Sequence, residues 1–455
     1  MKIISLTGML GYGYDRDALV EAFRNDPPEY IGVDAGSSDP GPYYLGAGKA
    51  FTNRSAVKRD TEIALLLAME HNIPFVIGTA GGSGSSDHLL WMREIIEEIA
   101  EEQHLSFKMA CIYTDVDTEY LLKKYQDGKV IPLGPQLPPD EETIRSCTRI
   151  VSQIGAGPIM EALKNGAQVV LAGRACDTAI YAAPCLMKGY DPGLAYHMAK
   201  IMECGSLCAK PAAAADGMIA VIEKDYFELT PSNPIRSCNI TSVAAHTLYE
   251  QSSPYFITEP DGTADLRNSV YEQITDRTVR VSKSTFKEAE TKTLKLEGVS
   301  LAGYRTISFA EICDPATIAH IDTIFAGVVE FVAQNLGSTY QNSDYTIQLR
   351  KYGVPAPLAD ATSPIPTTNA GVLIDVIGKT QAIADTVCSL VRSRMLHYDY
   401  EGRKSTAGNL AFPFSPSDIS MGAVYRFSFY HLVAVDDLNE TSHIEYEQIG
   451  GSNNG

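Results

Sequence analysis

GAQVVLAGRACDTAIYAAP, residues 166–184, decides how this chain is read. Ala167 to Ala172 is a short apolar run rich in Val, the pattern of a strand buried on both faces. It ends abruptly at Gly173-Arg174-Ala175-Cys176-Asp177, and a small-residue segment able to open a helix follows. Ligands of open α/β sheets bind outside the carboxyl ends of strands. Arg174 offers a planar fork for a carboxylate or phosphate there, and Asp177 can take a proton or cap the next helix. The same two residues can equally pair with neighbours and hold the turn.

Working outward, 455 residues is enough for two or three domains, and 45% hydrophobic content supports a real core. A net charge of −19 argues against a nucleic-acid or anionic-membrane partner. A small anionic substrate stays possible, because a pocket can be positive on an acidic surface. No run approaches the roughly 20 apolar residues that span a bilayer. Nothing in MKIISL resembles a signal peptide. The nine cysteines are scattered, so reduced thiols, a cytoplasmic location and no disulfide framework are expected. Cys204 and Cys208 are spaced C-x-x-x-C, but no second tight Cys/His pair accompanies them. Neither a metal nor another cofactor is expected. A homo-oligomer is.

Upstream, Lys2–Leu6 reads as the first buried strand, followed by the Gly-rich loop 8–14 and a helix. That loop has neither dinucleotide nor phosphate-loop spacing, so its glycines read as a tight turn. Tyr30–Val33 is a second strand with Asp34 at its carboxyl end. A helix over 55–70 carries Asp60 as an expected solvated position. Pro74–Ile77 runs into a loop containing Gly81, Gly82, Ser83, Ser85 and Ser86. A strand, such a loop and a helix in sequence suggest an anion cradle, with Asp87 capping the helix. His88 could act as a base or be a plain polar loop residue. Phe107–Tyr113 is the fourth strand, and Asn165-Gly166 ends the helix before the anchor strand. The alternation predicts an α/β fold: a doubly wound, mostly parallel sheet.

Downstream, a helix over 193–202 leads to Glu203, a carboxylate among small residues, readable as a general base or as a solvent-facing helix end. Residues 216–335 read as an α+β domain, with a helix over 241–251. Residues 336–437 read as a small α/β domain, 1–215 as Rossmann-like, and 438–455 as a disordered tail. Arg403 and Lys404 either bind an anion or solvate a turn.

GAGPIMEALKNGAQVVLAGRACDTAIYAAP, AYHMAKIMECGSLCAKP and SVAAHTLYE together resemble the acyclic terpene utilisation family of the AtuA type. The resemblance runs from residue 1 to about 326. The remainder is similar to the small domain found beside or fused to that family. The resemblance implies an enzyme of carboxylic-acid or acyl-thioester catabolism, with Gly173, Arg174, Asp177, Glu203, Cys204 and Gly205 in its site. The preferred reading is a lyase or hydratase in which Arg174 and the Gly81–Ser86 loop hold the anion. Asp177 or Glu203 then moves the proton. An isomerase or mutase partner, or a noncatalytic subunit binding a ligand or nucleotide, are the alternatives.

Overall fold

Short apolar runs need partners on both edges and cover on both faces, and the first 175 residues supply both. In the computed structural model, which describes residues 1–136, 138–250, 252–353, 369–404 and 406–451, five strands lie parallel. Their spatial order is Lys2–Ser5, Tyr30–Asp34, Phe75–Gly78, Val169–Ala172, Phe107–Tyr113. Alternate side chains enter two separate cores. Val170 and Ala172 join the core with the helices Ala156–Lys164, Asp177–Met187 and Pro192–Met202. Val169 and Leu171 join the one with Arg16–Asn25, Arg54–Glu70 and Ser86–Glu102. That is why the anchor strand reads as a continuous apolar run rather than an alternating one.

The sheet is mixed rather than mostly parallel. Met218–Ile222 pairs antiparallel with Lys2–Ser5, and Tyr226–Pro231, Val279–Ser282 and Val270–Gln273 extend that edge to make ten strands in all. The opposite edge corrects a second expectation. His443–Ile449, within the supposed disordered tail, is a strand paired antiparallel with Phe107–Tyr113. Its charged composition suits an outermost strand, with one face in water and Glu447 bonded to Arg93 at 2.6 Å. Residues 452–455 lie outside the described residues.

The chain gathers into two compact units. One is Met1–Ser300 with the chain from Phe427 onward, the other Leu301–Arg426. The first also holds a small antiparallel sheet of Phe256–Glu259, Gly262–Asp265 and Thr285–Glu288. In the second, Ala370–Gly378 pairs antiparallel with Tyr345–Tyr352 and with Tyr304–Ile312. The helices Ile321–Leu336 and Gln381–Leu396 supply Val328, Val332, Val387 and Val391 to its core. Arg403 there donates to Asn409 and to the Ala407 carbonyl, bracing its turn; Ser405 lies outside the described residues.

The expected helix over 241–251 is only Ile240–His246, and Gln251 lies outside the described residues. Asp60 is not solvated. It is buried, and its Oδ2 accepts the Gly11 and Gly13 amides at 3.0 and 2.9 Å, which holds the first Gly-rich loop in its turn. Asp87 does not cap its helix; Ser85 is the cap residue, and Asp87 pairs with Arg149. No helix among the described residues is long and apolar enough to cross a membrane. All nine cysteines are free thiols.

Candidate functional site

Carboxyl ends of the parallel strands open onto a cleft in the first unit, and the anchor strand supplies its floor. After Ala172 the chain turns at Gly173 and sends Arg174 inward, 3% exposed. Buried guanidinium donors need acceptors, and Arg174 has them. Nε and Nη2 reach the two carboxylate oxygens of Glu297 at 3.1 and 3.4 Å, and Nη1 reaches the Ala175 carbonyl at 2.9 Å and Thr79 Oγ1 at 3.2 Å. Lys295 Nζ closes on the other side of Glu297 at 2.8 Å and also donates to Tyr430 Oη at 3.0 Å. Pairing of Lys295 with Gln153 across adjacent strands fixes that lysine beside the anchor turn.

Asp177 is the first residue of its helix, where a negative charge meets the positive end of the helix dipole. Cys176 precedes it as the cap residue without a side-chain cap bond, so Asp177 is not the cap. Its Oδ1 is buried and makes no hydrogen bond; Arg174 Nη1 lies 3.6 Å away. Lys200 and Glu203 face one another from the last turn of Pro192–Met202 and pair directly, both about 5% exposed. Gly205 follows with φ +57°, and a Cβ there would lie 2.5 Å from the Asp216 carbonyl oxygen, so only glycine lets the chain fold back here.

Two adjoining cavities make up the cleft. One of about 510 Å³ is walled by Met9, Tyr12, Pro40, Phe51 and Leu207, with Asp34 and Cys204. The other, about 540 Å³, is walled by Arg174, Lys200, Lys295, Thr178 and Glu259. Ser37, Asp39, Asp177, Glu203 and Glu250 belong to both walls and form the seam. Each volume lies within the roughly 300–1,000 Å³ of small-molecule sites.

Burial sets the electrostatics. It raises the Glu203 carboxyl to about 8, against the pull of Lys200. Glu259, held by Thr178 Oγ1 at 2.7 Å, is likewise raised to about 8 by burial. Burial raises Asp177 despite Arg174, and raises Asp34 further because Asp177 stands near it. Glu297 goes the other way. Burial opposes its charge, but Arg174 and Lys295 outweigh it and bring it down to about 2. The cleft therefore joins carboxyls poised near neutrality to one fixed carboxylate that balances two cations.

The family model of the acyclic terpene utilisation family protein AtuA matches residues 7–221 and 230–409. The chain belongs to that family. Searches of curated proteins and of solved structures found no match. Within this AtuA-family chain, the structure brings together Asp34, Arg174, Asp177, Glu203 and Cys204 at the cleft, with Gly173 and Gly205 shaping the turns that deliver them. The Gly81–Ser86 loop is absent from both walls. Gly81, Gly82, Ser83 and Ser85 are buried. The Gly82 and Gly84 amides donate to Thr79 and Ala80 carbonyls, and Ser86 donates to Asp115. His88 Nε2 must donate to the Lys49 carbonyl, so Nδ1 accepts from the Ser85 hydroxyl. Burial lowers this histidine's pKa. It holds the loop and does not face the cleft.

Lys200, Glu259, Lys295 and Glu297 escaped the sequence reading. Lys295 and Glu297 alternate with Leu294 and Leu296, the pattern of a strand with one face in water, yet both faces are covered. Glu259 arrives from the small sheet more than 80 positions beyond Asp177, and no local signal marks it. Lys200, three residues before Glu203 at a helix end, carried the one usable signal: an i,i+3 ion pair beside small residues.

Proposed function

We propose that this chain is a catabolic enzyme acting on a small carboxylic acid or acyl thioester, as a lyase or hydratase. Membership of the AtuA family suggests a role in acyclic terpene utilisation. One observation carries the reading. Glu203 and Glu259, both near 8, share a cavity with Asp177 and Lys200. Perturbed carboxyls converging on a cleft are where acid–base chemistry is found. In dehydration, Glu203 as carboxylate takes the proton from the carbon beside the activated carboxyl group, and Lys200 steadies the charged form of Glu203 before transfer. Protonated Glu259 gives its proton to the departing hydroxyl, which leaves as water while the carbon–carbon double bond forms. Asp177, at the seam, is the second candidate base. Arg174 keeps the floor rigid, since its fork is already occupied by Glu297. The protein would act in the cytoplasm as a homo-oligomer, without a cofactor.

Mass-spectrometric screening of the purified protein against branched aliphatic acids and their thioesters tests this. Once turnover is found, Glu203→Gln is expected to lower kcat by roughly 10²–10⁴-fold with the fold intact. Arg174→Lys is expected to act chiefly on stability. If Glu203→Gln and Asp177→Asn both keep near-native kcat, the proton is moved elsewhere and the mechanism fails.

A further inference from the structure

Ala370–Gly378, AGVLIDVIG, is a nearly unbroken apolar run, the pattern of a strand covered on both faces. The second unit covers one of them. Val372, Ile374 and Val376 pack into the core with the helices Ile321–Leu336 and Gln381–Leu396. Leu373 and Ile377 alternate with them and point to the other side. Strand register carries that side across the sheet: Leu373 stands between Phe309 and Arg350, and Gly371 between Glu311 and Tyr352. Ser420 Oγ donates to Asp385 of the second helix at 2.8 Å, so Ile419 and Met421 on either side of it share the open face. Phe309, Tyr352, Ile419 and Met421 are 38, 51, 37 and 53% exposed. A contiguous apolar patch left in water on this scale marks an interaction site.

Composition and charge select the occupant. Protein interfaces gather aromatic residues, Met and Arg, and this face presents Phe309, Tyr352, Met421, Arg305 and Arg350. Asp375, buried at its centre, holds Arg305 at 2.9 Å and Arg350 at 3.6 Å, so both arginines keep a partner when water leaves. The Phe309 ring lies 3.4 Å from where a Gly371 Cβ would stand, flat along the sheet rather than upright from it. With Glu311, the face carries two charges of each sign in a chain of net charge −19. A strongly charged partner finds no complement there, whereas a second acidic copy meets no repulsion. Four strands about 4.8 Å apart and about eight residues long offer about 500 Å², and two copies together bury about 1,000 Å², enough for a specific interface. We propose that this face is an isologous contact between two copies of the chain, sheet packed on sheet. It goes beyond the reaction proposed for the cleft and stands without it.

Sedimentation velocity of the full chain at about 1–50 μM tests this, and at least twice the mass of one chain is expected. Met421→Asp and Phe309→Asp each put a charge on the face at a side chain exposed in the single copy, so the fold should hold and the mass should halve. Ile235→Asp, at a 70% exposed side chain of the first unit, should leave the mass unchanged. Circular dichroism checks that each variant is folded. Peroxide oxidation of Met421, followed by mass spectrometry, reads the face itself and is expected to run about tenfold slower in the unmodified chain than in Phe309→Asp. A single-chain mass for the unmodified protein across that range overturns the proposal, and so does an oligomer that both charged variants leave intact. A single-chain mass with Met421 resistant to peroxide would assign the cover to the chain itself, and overturns it equally.

Discussion

The Gly81–Ser86 loop and the Lys200–Glu203 helix end exchange the roles that their compositions suggest. Three glycines and three serines after a strand look like an open cradle, and a Lys–Glu pair at a helix end looks like solvated surface. In the folded chain the loop is buried, with its amides donating to Thr79, Ala80 and Asp115. The ion pair is the one that faces the cavity, almost stripped of water. Small polar residues permit close packing as readily as ligand binding, and what packs on top decides which occurs. Gly84 shows this directly: its Cβ position would lie 2.2 Å from the Arg174 amide nitrogen, so the loop serves to let the anchor turn come close.

The largest expected effect that sharpens this comparison is at Glu297. Glu297→Gln leaves the buried Arg174 and the half-buried Lys295 without their shared carboxylate, and losing one side of a buried pair costs about 3–5 kcal/mol. Chemical denaturation measures it; a loss below about 1 kcal/mol would mean that water reaches these cations and the floor is not rigid. Next, Gly84→Ala forces a side chain into a left-handed position (φ +69°) against backbone, for a loss of about 2 kcal/mol or more. A neutral Gly84→Ala would mean that the loop is free to move, which restores the cradle. The smallest effect is at Ser83, whose buried hydroxyl makes no hydrogen bond. Ser83→Ala should leave stability within about 1 kcal/mol, or raise it, with no change in ligand affinity. A tenfold fall in kcat/KM, once a substrate is found, would bring the loop back into the site.

Legibility followed sequence distance. The parallel strands, the Asn165-Gly166 stop (Gly166 φ +80°) and the anchor turn were readable because strand and turn chemistry are local. Arg174, Asp177 and Glu203 were readable as candidates because charge beside small residues at element ends is rare. Their partners were not. Glu297 and Glu259 come from strands whose alternating pattern fits a half-solvated sheet, and only the packed fold covers both sides. Asp60 failed for the same reason: a helix position that looks wet is closed over by a loop 47 residues upstream. His443–Ile449 was missed because an edge strand keeps a charged face, which by composition resembles a tail.

The central claim is that the cleft's burial, with Lys200 alongside, holds Glu203 near neutrality while Glu297 stays fixed as an anion. Carboxyl-carbon NMR of the full chain, with Glu203 identified by its loss in Glu203→Gln, reads this without any substrate. Because its folded pKa is raised above the ordinary 4.5, Glu203 should stay protonated through neutral pH and ionise with a midpoint near 8. Base strength would then become available as the pH rises through that value. A midpoint near 4.5 would show a solvated surface carboxylate, and the cleft would lose its acid–base chemistry.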